Sequence, residues 1–156
     1  MDYDKTREVL AALEREGVRY VIIGGVALNL QGLARATEDL DIFIEPDVGN
    51  IDSLRTALAS VFEDPHVDEI TTEDLLGDYP AVQYIPPEGS FYIDILTRLG
   101  EAFSFDDLES ERIDFDGLEV SVVTPETLYR MKKGTVRLRD QGDAERIRQK
   151  FGLEED

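Results

Sequence analysis

The chain of 156 residues reads as an α/β (α+β) fold, with a small mixed β-sheet and flanking helices. Three observations predict this class. Short runs rich in β-branched residues, such as Tyr20-Val21-Ile22-Ile23 before Gly24-Gly25 and Val120-Ser121-Val122-Val123 before Thr124-Pro125, stop at turn or helix-start signals, as buried strands do. Apolar residues recur at helical spacing between such runs, in Val9, Leu10 and Leu13 and again in Ile51, Leu54, Leu58 and Val61. The length suits one compact unit with a real core. A single domain over 1–156 is therefore predicted, with a core over about 18–124 and a helical, basic C-terminal segment over about 125–156.

Taken in order, residues 3–17 predict an amphipathic cover helix stopped by Gly17. Residues 20–23 predict a strand, and a helix can start at Val26 directly after the glycines. A second strand ends at Glu45, where Pro46-Asp47 breaks it, and the pattern from Ile51 to about Phe62 predicts another helix. The acidic stretch 63–79 reads as a solvated connection with a short helix at 72–76. Residues 81–85 and 91–97 predict a hairpin around Pro86-Pro87-Glu88-Gly89, and 101–108 a loop or short helix. Residues 112–115 and 118–123 predict a hairpin about Asp116-Gly117. Thr124 as cap with Pro125 at the first position starts a helix, and 144–151 reads as helical as well.

Chemistry concentrates in the second strand. Side chains alternate along a strand, so Leu40, Ile42 and Ile44 are expected in the core while Asp39, Asp41 and Phe43 share the other face. At a rise of roughly 3.3 Å per residue, the two aspartate Cα atoms lie about 6 to 7 Å apart, near enough to share a hard cation. With 18 aspartates in the chain, about two Asp-x-Asp triplets arise by chance, and three occur, so the triplet alone carries nothing. Context separates Asp39-Leu40-Asp41: it follows a strand, a Gly-Gly turn and a helix start, whose backbone N–H groups and missing side chains suit a phosphate. Asp94 lies within the later apolar run 91–97, where a buried carboxylate needs a cation or a hydrogen-bond donor. If that strand neighbours the first, three carboxylates converge.

Composition excludes several classes. Cysteine is absent and His66 is the sole histidine, which removes disulfides and Cys- or His-based metal sites. His66 would also have to serve any Ser-His hydrolase, and no Gly-x-Ser-x-Gly elbow accompanies it. A haloacid-type phosphatase needs its aspartates straight after an apolar strand, but Arg35-Ala36-Thr37-Glu38 precedes Asp39. With no signal-like or membrane-length apolar run, a cytoplasmic protein without a membrane partner is predicted. The net charge of −19 opposes a broad nucleic-acid surface, although eight of the sixteen basic residues fall in the last quarter of the chain. Twelve arginines against four lysines, with so much acid, suit a protein of a salt-loving organism.

The string Gly24-Gly25, Arg35-x-Thr37-x-Asp39-Leu40-Asp41-Ile42, and a later lone Asp94 resembles the nucleotidyltransferase superfamily of DNA polymerase beta, and within it the minimal, abortive-infection toxin-like group. Gly25 stands where the superfamily often has Ser. Lys133, Arg137, Arg139, Asp140 and Asp143 resemble that group's C-terminal Lys…Arg-x-Lys-Asp-x-x-Asp signature, with Arg139 in place of the second Lys. The resemblance implies a sheet covered mainly on one face, and a metal-dependent transfer of a nucleoside monophosphate from a nucleoside triphosphate to an acceptor hydroxyl. Asp39, Asp41 and Asp94 would be its catalytic and metal-binding carboxylates, for magnesium or manganese. Gly24, Gly25, Arg35, Thr37, Lys133, Arg137 and Arg139 would meet the nucleotide, while Asp140 and Asp143 orient the cations. The acceptor is left open between a tRNA end, a protein and a small molecule. The protein would be the toxin of a toxin–antitoxin pair, with an antitoxin partner; the alternative is an inactive nucleotide sensor or antitoxin-like module.

Overall fold

The computed structural model describes residues 2–77, 80–87, 91–99, 103–135 and 137–153. Helix α1 (Tyr3–Arg15), capped by Asp2, leads into β1 (Tyr20–Ile23) and α2 (Gly24–Leu30). Strand β2 (Asp39–Ile44) is followed by α3 (Val48–Phe62), a 3-10 turn over Pro65–Glu69 and α4 (Thr72–Leu76). Then come β3 (Ala81–Tyr84), β4 (Tyr92–Leu96), the short pair β5 (Arg98–Leu99) and β6 (Phe103–Ser104), β7 (Ser110–Phe115) and β8 (Leu118–Val123). Helices α5 (Pro125–Lys133) and α6 (Leu138–Phe151) complete the chain. Of the stretches read from the sequence, residues 78–79 of the acidic connection, 88–90 of the hairpin loop, 101–102, and 136 and 154–156 of the C-terminal segment lie outside the described residues.

Six strands form one mixed sheet in the order β3-β4-β2-β1-β8-β7. The two carboxylate strands are neighbours: β2 pairs with β4 in parallel, with Asp41 opposite Asp94. Strand β1 lies antiparallel on the other side of β2, with Ile23 opposite Asp41, so the end of β1 and the glycine turn arrive beside the carboxylates. Strand β3 forms the edge next to β4.

Leu40, Ile42 and Ile44 are fully buried, as alternation requires. Phe43 is fully buried too, although it shares a face with Asp39 and Asp41. Its register partner Val21 and that residue's strand neighbour Ile23 are also buried, so the carboxylate-bearing face is covered around β1, while it is exposed at Ala81, Gln83 and Tyr92 on one side and at Glu119, Arg112 and Asp114 on the other. The sheet is thus covered mainly on one face, with local cover of the second face over β1. The entry to β1 and the exit from β2 are locked by buried Asn50 of α3. Its Oδ1 accepts from Arg19 N at 2.7 Å, and its Nδ2 donates to the carbonyls of Arg19 and Glu45 at 3.0 and 2.9 Å. A buried amide satisfied in this way specifies one register.

Three helices start earlier than the sequence predicts: α2 begins at Gly24 rather than Val26, so both glycines belong to its first turn. Asp47 caps α3 by accepting from Asn50 N, so the helix begins at Val48 rather than near Ile51. Helix α6 begins at Leu138, six residues before Ala144, because Asp140, Asp143 and Ala144 are buried on one face despite the polar, glycine-containing sequence. No helix among the described residues is long and apolar enough to cross a membrane.

Candidate active site

The glycine turn and the carboxylates constrain one another. Gly24 has φ +70°, and a Cβ built there falls well inside 3.0 Å of the Asp41 carboxylate. Both the backbone and the space therefore require glycine. A Cβ at Gly25 would lie 3.0 Å from the Thr37 Cβ and Oγ1, so the Thr37 side chain fills the volume that a serine at position 25 would take. Thr37 is held by donating its hydroxyl to the Asp39 carbonyl at 2.9 Å. The residue before α2 is Ile23, which offers no capping side chain, so the first-turn N–H groups of this short helix have no side-chain acceptor at the cap.

Asp39, Asp41 and Asp94 each place a carboxylate oxygen within 4.8 Å of the others. At that separation two full charges repel by roughly 3 kcal/mol in an effective dielectric of about 20. Burial first, then the hydrogen bond and charge of Asp94, and then the charge of Asp39 push Asp41 well above the ordinary carboxylate range; Lys132 opposes them weakly. Asp39 is raised as well, by burial and then by Asp94 and Glu38. Such a cluster has surplus oxygen ligands and surplus negative charge, which fits a hard divalent cation. Asp94 takes one further bond, accepting at Oδ1 from Gln83 Nε2 at 3.0 Å.

The facing wall comes from α5 and α6. Asp140 and Asp143, three apart on α6, share a helix face. Lys132 Nζ sits between them, 3.3 Å from Asp140 Oδ1 and 3.1 Å from Asp143 Oδ2. Arg137 Nε donates to Asp140 Oδ2 at 2.6 Å, and Thr135 Oγ1 donates to the same oxygen at 3.0 Å. Burial pushes Asp140 up, but the bonds from Arg137, Thr135 and Lys132 outweigh it and hold the carboxyl below its usual range. Arg35 reaches from the loop before β2 and donates through Nη1 to Asp143 Oδ1 at 2.8 Å, and Asn29 holds the Arg35 backbone at both N and O. Arg146 and Lys150 of α6 donate to the carbonyls of Ala34 and Gly32, so the helix straps the loop that delivers Asp39.

These two walls enclose an open cleft of about 1310 Å³, lined by the three aspartates, Gly24, Gly25, Arg35, Thr37, Lys132, Arg137 and Arg139. Nine of the ten residues singled out from sequence thus meet in one place. Lys133 does not line the cleft; its Nζ lies 5.3 Å from the Tyr129 ring centroid, and the adjacent Lys132 points inward instead. Helical spacing does not separate the two lysines, because Leu128 and Tyr129, four residues before each, are both buried. Gln83 was missed because its facing of Asp94 depends on hairpin register. His66 lies outside this cleft, exposed, 3.5 Å from Glu69.

Residues 8–148 match the family model described as the nucleotidyl transferase AbiEii toxin of the type IV TA system. The chain belongs to the AbiEii nucleotidyltransferase toxin family. The span matched by the AbiEii model contains every cleft residue named above. The fold is similar to that of ANT(2″)-Ia, solved in complex with adenylyl-2″-tobramycin, at 14% identity and TM-score 0.55 over 96% of this chain and 89% of that one. It is also similar to that of an antigenic nucleotidyltransferase-like protein from Paracoccidioides brasiliensis, at 21% identity and TM-score 0.51 over 92% and 72% of the two chains. At such identities these likenesses establish the fold. No curated protein sequence matches the chain significantly. As an AbiEii-family member the protein is a nucleotidyltransferase.

Proposed function

We propose that this AbiEii-family protein transfers a nucleoside monophosphate from a nucleoside triphosphate to an acceptor hydroxyl, releasing pyrophosphate, and that it is the toxin of a toxin–antitoxin pair. The observation that carries the reading is the convergence of Asp39, Asp41 and Asp94, mutually repelling, at the open end of a cleft whose opposite wall is cationic. Magnesium or manganese bound by these carboxylates would neutralise charge on the triphosphate and its leaving group. Gly24 and Gly25 let phosphate oxygens approach the main chain. Thr37, Lys132, Arg137 and Arg139 face the same space from the other sides. Arg137 is 74% exposed despite its bond to Asp140, and so has donors to spare.

The acceptor oxygen attacks the α-phosphorus, the bond to the β-phosphate oxygen breaks, and pyrophosphate departs. The acceptor proton passes to Asp94, the carboxylate nearest the sheet edge. Lys133 is then a supporting residue, and Arg35 acts through Asp143 as well as through the cleft. The unit of function is the single domain 1–156, acting in the cytoplasm with an antitoxin as partner. For the acceptor we favour a tRNA end or a protein hydroxyl. Of the basic residues near the C-terminus, Arg130, Lys132, Arg146, Arg148 and Lys150 are engaged within the protein, so an RNA would meet chiefly Arg139 and Arg137, which is bonded to Asp140 but 74% exposed.

The test is incubation with each labelled nucleoside triphosphate, magnesium, total tRNA and cell protein. Label on one acceptor class that vanishes with Asp39→Ala is the expected result. Equal labelling by wild type and Asp39→Ala would contradict the site, and nucleotide binding without any labelling would favour the inactive sensor.

A further inference from the structure

We propose that Gln83 is a positioning residue for Asp94, holding that carboxylate turned into the metal-binding cluster. The inference rests on the reading of Asp39, Asp41 and Asp94 as metal ligands. Gln83 lies on the edge strand β3, directly opposite Asp94 in the register, and its Nε2 donates to Asp94 Oδ1 at 3.0 Å. Asp94 needs such a hold. Asp41 is its partner on the inner side and Asp39 is close by, so repulsion drives the Asp94 carboxylate outward, toward the edge of the sheet. Among the described residues, β3 is the strand on that side. A neutral amide can fix the carboxylate from there without adding a charge that would compete with a bound cation for it.

The bond contributes little to the fold, because both groups are accessible to water, and an exposed hydrogen bond replaces one to solvent at small net gain. Its effect falls instead on the ligand it orients. Groups that orient a metal ligand without touching the metal typically change affinity by 10- to 100-fold when removed.

The test is a double-mutant cycle on Mn²⁺ affinity, measured by calorimetry on the wild type, Gln83→Met, Asp94→Asn and the double variant, with melting temperatures alongside. Gln83→Met keeps the length and loses the donor. The expected result is about 10-fold weaker Mn²⁺ binding at an unchanged melting temperature, with no further weakening when the substitution is added to Asp94→Asn. In turnover assays kcat falls while KM for the nucleotide holds. No weakening in the wild-type background, or equal weakening in both backgrounds, overturns the role of Gln83 alone. Unaltered Mn²⁺ binding by Asp94→Asn overturns the metal-site reading, and this inference with it.

Discussion

The two walls of the cleft use aspartate in opposite ways. On the strand wall, Asp39, Asp41 and Asp94 crowd together, and no salt bridge to any of them forms among the described residues. On the helical wall, Asp140 and Asp143 are each bonded by two or more cationic or hydroxyl donors, with Lys132, Arg35 and Arg137 set against two carboxylates. Uncompensated carboxylates marginally burden the fold, and under the proposed function they would take up a cation. Compensated ones are part of the fold, and they aim the cations that line the cleft. The same change, aspartate to a neutral residue, should therefore have opposite signs on the two sides.

The largest effect is expected at Asp143, 2% exposed, which holds both Arg35 and Lys132. Asp143→Ala leaves two largely buried cations short of a partner and should cost about 3 to 5 kcal/mol, read as a loss of chemical-denaturation midpoint. Gly24→Ala comes next. It meets the Asp41 carboxylate and forces an L-residue to positive φ, so a loss of about 1 to 3 kcal/mol is expected, together with loss of Mn²⁺ binding as Asp41 is displaced. Intact Mn²⁺ affinity in Gly24→Ala would separate the glycine turn from the carboxylates.

The contrast also sets two slopes of stability against pH for the metal-free protein. Asp140 has a lowered folded pKa, so its contribution is complete above the unfolded value near 4 and is lost as pH falls through the lower folded value. Asp41 has a raised folded pKa. Between about 4 and that raised value the folded state binds more protons than the unfolded, so stability falls as pH rises across this window. Asp41→Asn should flatten the second slope and leave the first. A pH series of melting temperatures in chelator reads both. Among the cations, Lys132→Ala should raise the nucleotide KM about 10-fold or more, as befits loss of a charge facing the phosphates, and Lys133→Ala should change it least.

Much of the strand wall was legible in the sequence, because alternation decides which face Asp39, Asp41 and Asp94 take once the strands are placed. The adjacency of β2 and β4 was a conditional expectation, and pairing between strands some 50 residues apart is what satisfied it. The helical wall was harder to read. Arg35 and Asp143 are separated by 108 positions, and nothing local signals their bond. The motif drew attention to Lys133, whereas the ion pairs of Lys132 with Asp140 and Asp143, which place it in the cleft, depend on how α5 and α6 pack. The start of α6 was hidden because Asp140 and Asp143 look solvated until their partners are known. Charged residues in a sequence carry no sign of whether they will be paired, and here that distinction separates scaffold from site.

The most direct test of the contrast is the melting temperature of wild type and Asp41→Asn near pH 7.5, each in chelator and in Mn²⁺. Relief of repulsion should make metal-free Asp41→Asn more stable than wild type, by on the order of 1 kcal/mol. Mn²⁺ should stabilise the wild type and leave Asp41→Asn unmoved. A metal-free Asp41→Asn that melts below wild type, or one that Mn²⁺ still stabilises as strongly, would contradict the assignment of the strand wall as the cation site.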